Sequence, residues 1–120
     1  MDKKFIATNE DAFDPLGDRK LPTSAVQISG LRSSMGVEPL ILAKPNPYAI
    51  NLIVNDNGLD KSKCVMIGDR LDTDILFANK GGIDSILMMT GVSKIEDLIK
   101  TEITEGMPKP TYYLESLKLI

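Results

Sequence analysis

The chain has 120 residues, 42% of them hydrophobic and 26% charged, with a formal net charge of -3. That length argues for one domain or a piece of one, and that balance is globular rather than disordered. The acidic charge disfavours nucleic acid as a partner, and the absence of histidine removes Ser-His-Asp catalysis and most zinc chemistry.

The single cysteine, Cys64, excludes an internal disulfide and reads as core. No apolar run approaches the ~20 residues of a membrane span, so no membrane partner is expected. Met1-Asp2-Lys3-Lys4 opens no signal-peptide pattern, and the simplest compartment is cytoplasmic.

In chain order, short apolar runs predict strands over Phe5–Thr8, Pro39–Ala43, Lys63–Gly68, Ser85–Thr90 and Thr111–Leu114. The middle runs are continuous rather than alternating, as parallel strands buried on both faces require. Helices are predicted between them, over Ser24–Met35, Pro47–Asn57, Thr73–Lys80 and Lys94–Thr101. Gly36 and Gly58 stand where helices end, and Gly81-Gly82 stops the third. The stretch Ala12–Pro22, with Pro15, Gly17 and Pro22, reads as a loop. Met88-Met89 and Tyr112-Tyr113 read as packed strand residues. Strand–helix alternation predicts an α/β fold with a Rossmann-like parallel sheet.

Ligands of such sheets sit beyond the carboxyl ends of the strands. Two polar clusters fall there. Gly68-Asp69 follows the third strand, with Asp72 and Asp74 just beyond. A carboxylate at a strand tip suits a magnesium ion, which takes one or two carboxylates and fills its shell with water and phosphate. A turn with an Asp capping the next helix is the plainer alternative, and one of Asp72 and Asp74 is expected to cap. Lys44-Pro45 follows the second strand. Lys44 could neutralise a phosphate there, or simply be a solvated surface lysine. Together, a cation and a carboxylate at adjacent tips suit phosphoryl transfer, whose catalysis is mostly positioning and charge stabilisation.

Ala43-Lys44-Pro45-Asn46-Pro47 followed by Met66-Ile-Gly-Asp-Arg-Leu-Asp-Thr-Asp-Ile75 resembles the haloacid-dehalogenase (HAD) superfamily. The nearest branch holds the 4-nitrophenylphosphatases, phosphoglycolate and pyridoxal phosphatases and NagD-like proteins. Phe5-Ile-Ala-Thr-Asn9 with Asp11, Leu87–Val92 and Pro110–Ser116 agree with it. The resemblance implies a magnesium-dependent phosphomonoesterase acting on a small phosphorylated metabolite. Asp69 would be the magnesium ligand, and Asp74, with Gly68, would support it from behind or act as a weaker ligand. Lys44 would be the catalytic and substrate-binding lysine. Residues 1–38 would be the C-terminal remnant of a cap domain, and 39–120 the second half of the catalytic core. A homo-oligomer is compatible with the resemblance.

Three departures qualify it. Ala43 stands where the family usually has glycine. Asp14 stands near the cap position that offers a histidine in pyridoxal-phosphatase-like members, and would repel a phosphate. The nucleophilic Asp-x-Asp-Gly is missing, and the one Asp-x-Asp, Asp72-Thr73-Asp74, belongs to the magnesium motif. The expectation is therefore a C-terminal fragment, inactive alone, with an unpaired sheet edge. A naturally short, catalytically dead protein that binds phosphate or a partner is the competing reading. A receiver or flavodoxin-like module would need its acidic pocket on earlier strands.

Overall fold

The structure is a computed structural model and describes residues 4–119. It is α/β, and the chain forms two compact units that divide between Ala43 and Lys44. The break falls there because β1 (Ile6–Ala7) pairs in parallel with β4 (Leu40–Ile41) and so ties Pro39–Ala43 to the first unit.

In that first unit, residues 13–22 are not a loop. β2 (Phe13–Leu16) and β3 (Arg19–Pro22) form an antiparallel hairpin around Gly17-Asp18. Gly17 takes a φ of 59°, the left-handed conformation that glycine adopts without steric cost. Pro15 and Pro22 are tolerated because a two-stranded ribbon consists only of edges. α1 (Ser24–Met35) is entered through Thr23 and Ser24, whose hydroxyls donate to Asp11 O and to Asn9 Oδ1. It buries Ile28 and ends at Gly36 in the left-handed conformation. Arg32 bridges Glu10 and Glu38 on the surface.

The second unit holds a three-stranded parallel sheet in the order β5 (Val65–Gly68), β6 (Asp84–Met88), β7 (Tyr112–Leu114). α2 (Tyr48–Asn57) precedes β5 and ends at Gly58. α3 (Leu76–Gly81) joins β5 to β6, and α4 (Ile95–Ile103) joins β6 to β7. The predicted helix over 73–80 divides differently. Leu71–Ile75 forms a π-helical turn that runs into α3, and Gly82, not Gly81, provides the left-handed stop.

The core lies between the π turn, β6 and α4, where Leu71, Ile75, Leu87 and Leu98 cluster and Met89 packs on them. Ile75 and Leu87 are completely buried, each contributing about 1.5–3 kcal/mol relative to exposure. Ser85 and Thr111 lock the start of the β6–β7 pair, each amide donating to the other's hydroxyl at 3.0 and 3.2 Å. Lys61 closes α3 by donating to the Gly81 carbonyl at 2.8 Å and to Asn51 Oδ1 at 2.9 Å.

Two sequence expectations change in this unit. Cys64 is half-buried rather than core, with Sγ donating to Asp60 O. Tyr112 and Tyr113 are exposed, because β7 is an edge strand of a narrow sheet. Ile95 and Ile99 of α4 are exposed while Leu98 is buried.

Gly81 is where α3 meets α2. A Cβ on it would overlap the Ile50 side chain, itself buried. Gly81→Ala should therefore destabilise the fold by about 1–3 kcal/mol through overpacking, despite alanine's better helix propensity. A fall in the urea unfolding midpoint measures this, and an unchanged or raised midpoint would contradict the close approach.

Candidate active site

Asp74 organises the end of β5. The π turn places it: the amides of Asp74 and Ile75 both donate to Arg70 O, at 3.0 and 3.1 Å, and Leu76 N–H reaches back to Leu71 O. These bonds let Leu71 and Ile75 face the core while the Asp74 carboxylate turns back toward the strand tip. π turns are rare and concentrate at functional sites. Asp74 is 4% exposed, and both oxygens are engaged. Oδ1 accepts from Lys44 Nζ at 2.6 Å. Oδ2 accepts the backbone amides of Asp69 and Arg70 at 3.1 and 3.2 Å. Gly68 makes room for this arrangement, since a Cβ there would overlap the Asp74 carboxylate.

Asp69 lies beside it, half-buried. Its Oδ2 accepts from Val92 N–H at 2.8 Å, and among the described residues no hydrogen bond reaches Oδ1. Lys44, on a cis Lys44–Pro45 peptide, is about half exposed and keeps one face toward solvent. The structure thus brings Lys44, Gly68, Asp69 and Asp74 together. Neither Asp72 nor Asp74 caps the following helix. Asp72 instead receives the Arg70 guanidinium as a fork, at 3.0 and 2.8 Å.

No group of three or more acidic, cysteine or histidine side chains capable of holding a metal exists among the described residues. A single carboxylate with one uncommitted oxygen fits magnesium, which accepts one or two protein carboxylates, better than a cation needing a full protein cage. Sequence reasoning missed Gly91, Val92 and Ser93. Val92 N–H orients Asp69, and Ser93 bonds the backbone on both sides of Arg70. A glycine directly after the predicted strand Ser85–Thr90 was the available sign of a close backbone approach.

Among the described residues no helix is long and apolar enough to cross a membrane.

Two outcomes test this geometry. Asp74→Ala strips Lys44 of its partner and leaves two amides without an acceptor, so a loss of about 2–3 kcal/mol in urea unfolding is expected. Wild-type stability would contradict it. The Arg70 guanidinium also holds the Asp72 carboxyl below the usual carboxylate range. A depressed folded-state value adds stability above the unfolded value, near pH 4, and that stability is lost as the pH falls further. The stability gap between wild type and Asp72→Asn should therefore be open at pH 7 and close toward pH 3 in thermal melts. A gap that does not vary with pH would refute the pairing.

Comparison with known proteins gives the family. The HAD-hydrolase-like family model matches residues 41–120. The 4-nitrophenylphosphatase of Schizosaccharomyces pombe is 39% identical over 116 residues, covering 94% of this chain and 37% of the relative. The 4-nitrophenylphosphatase structure from Thermotoga maritima superposes with a TM-score of 0.81 at 35% identity, covering 96% of this chain and 42% of that one. The glycerol phosphate phosphatase of Mycobacterium tuberculosis, solved in complex with magnesium, gives a TM-score of 0.82 at 30% identity, with 96% and 33% covered. The chain spans between a third and about two fifths of the length of these relatives. With a family model matched over more than half of its length, the chain belongs to the HAD-like hydrolases, in the branch of the 4-nitrophenylphosphatases.

Proposed function

We propose that this chain supplies the metal- and phosphate-holding part of a magnesium-dependent phosphomonoester hydrolase acting on a small phosphorylated metabolite. In this reading residues 39–120 belong to the catalytic core and residues 1–38 to the end of a cap. The observation that carries it is the buried Asp74 carboxylate, which joins the Lys44 ammonium to the backbone of Asp69.

Each side chain then has a definite task. Asp69 Oδ1 would hold the cation while Val92 N–H fixes Oδ2. Bound there, magnesium supplies electrostatic stabilisation for phosphoryl oxygens. Lys44 Nζ, fixed by Asp74 Oδ1, brings a second positive charge to the same oxygens. Gly68 keeps the backbone close. The 120 residues contain no Asp-x-Asp-Gly, so the attacking carboxylate comes from polypeptide outside them. The share of the relatives that this chain spans supports that division of labour.

The test is complementation. The chain is co-expressed with the N-terminal portion of a 4-nitrophenylphosphatase relative, and magnesium-dependent release of 4-nitrophenol from its phosphate is followed. Activity should appear only in the combination. Asp69→Asn and Lys44→Ala should each lower it on the order of 100-fold or more. Wild-type turnover in either variant would overturn that residue's role. A folded, monodisperse chain that binds phosphate but is never activated would favour a non-catalytic binding protein.

A further inference from the structure

Asp69 is gripped by three consecutive residues from the β6–α4 connection. Gly91 passes so close that a Cβ on it would overlap the Asp69 carboxylate. Val92 N–H donates to Asp69 Oδ2 at 2.8 Å. Ser93 N–H donates to the Asp69 carbonyl at 3.0 Å, and Ser93 Oγ accepts Leu71 N–H at 3.1 Å. Ser93 is therefore bonded to the chain on both sides of Arg70, at the entrance to the π turn.

The grip is itself anchored. Lys94 Nζ donates to Gly91 O at 2.8 Å, and Asp97 Oδ2 accepts Lys94 N–H at 3.1 Å in the first turn of α4. Ser93 is 7% exposed, and its hydroxyl is not used to cap α4, which starts from Lys94. A buried hydroxyl placed before a helix yet bonded to a distant turn has the geometry of an orienting group rather than of a cap.

We propose that Ser93 is the positioning residue for the Asp69 carboxylate, fixing the turn that carries it so that Val92 N–H can hold one carboxylate oxygen and leave the other facing the cation. The proposal rests on the reading of Asp69 as the magnesium ligand. Groups that orient a metal ligand from behind typically change metal affinity by about 10–100-fold when removed.

The experiment uses the 120-residue chain with Mn2+ as a paramagnetic stand-in, reading broadening of the Asp69 and Arg70 amide resonances by NMR, with Asp69→Asn as the blank. Hydrogen exchange of the Leu71 and Val92 amides is measured without metal. Ser93→Ala should weaken Mn2+ binding about tenfold and speed exchange at both amides about tenfold. Thr101→Val is the control for general stability. It removes another buried hydroxyl, one bonded to Leu98 O within α4 rather than to the Asp69 turn, and should leave Mn2+ affinity unchanged.

Wild-type affinity and exchange in Ser93→Ala would overturn the proposal. So would an equal loss of affinity in Thr101→Val. If Ser93→Ala does not fold, Gly91→Ala decides. It keeps the hydroxyl but displaces the carboxylate, and wild-type Mn2+ affinity there would refute the grip. If the wild-type chain shows no Asp69-dependent broadening, the magnesium reading fails. Ser93 is then judged by the metal-free exchange of Val92 alone, where an unchanged rate overturns its role.

Discussion

A carboxylate that is 4% exposed cannot sit at a strand tip without partners, because an unpaired buried charge costs several kcal/mol. Asp74 meets that demand with one ammonium and two backbone amides. Each partner is in turn an element of the site. Lys44 lies just before α2, and the Asp69 and Arg70 amides belong to the turn after β5. Satisfying one buried charge therefore fixes the separation between the Lys44 ammonium and the turn that carries the Asp69 carboxylate. Stability and preorganisation share one source here. The site needs little reorganisation when charge develops on a ligand, which is the condition under which fixed charges act most strongly.

The layers around this centre divide the work. Leu71 and Ile75 pin the π turn into the core beside Leu87 and Leu98. Arg70 and Asp72 close the outer side of the same turn with a solvent-exposed fork. Such exposed pairs contribute little to stability, so the apolar side carries most of the energy. The Gly91–Ser93 segment grips Asp69 from the next strand end. The carboxylate is thus held by two connections, β5–α3 and β6–α4, each leaving the same edge of a parallel sheet. That is where α/β sheets place ligands in general.

Much of this was legible in the sequence, for identifiable reasons. Lys44, Gly68, Asp69 and Asp74 stood at or just beyond the ends of apolar runs, and their chemistry at that spacing suits phosphate. Helix ends were marked where Gly36 and Gly58 take positive φ. The hairpin over residues 13–22 was obscured because Pro15, Gly17 and Pro22 look like loop punctuation, although Gly17-Asp18 is a hairpin turn. Exposure of Tyr112 and Tyr113 depends on how many strands flank β7, which a local pattern does not encode. The role of Val92 rests on its backbone amide, a group that every residue but proline carries, so side-chain chemistry gave no warning of it. Ser93 adds its hydroxyl to its amide, but a serine just before a helix reads as an ordinary cap.

The π turn also constrains how this chain can change over evolution. Five residues, Leu71–Ile75, occupy a turn in which hydrogen bonds span one residue more than in an α-helix. Removing one residue there would let an ordinary helix form, with no loss of hydrogen bonding. The helix beyond would keep roughly its orientation, because a π turn spends one extra residue on nearly the same rotation. What would be lost is the position that lets the Asp74 and Ile75 amides share the Arg70 carbonyl while the Asp74 carboxylate turns back to the strand tip. The segment therefore tolerates substitution far better than a change of length, and its count of residues is as much a part of the site as their identities.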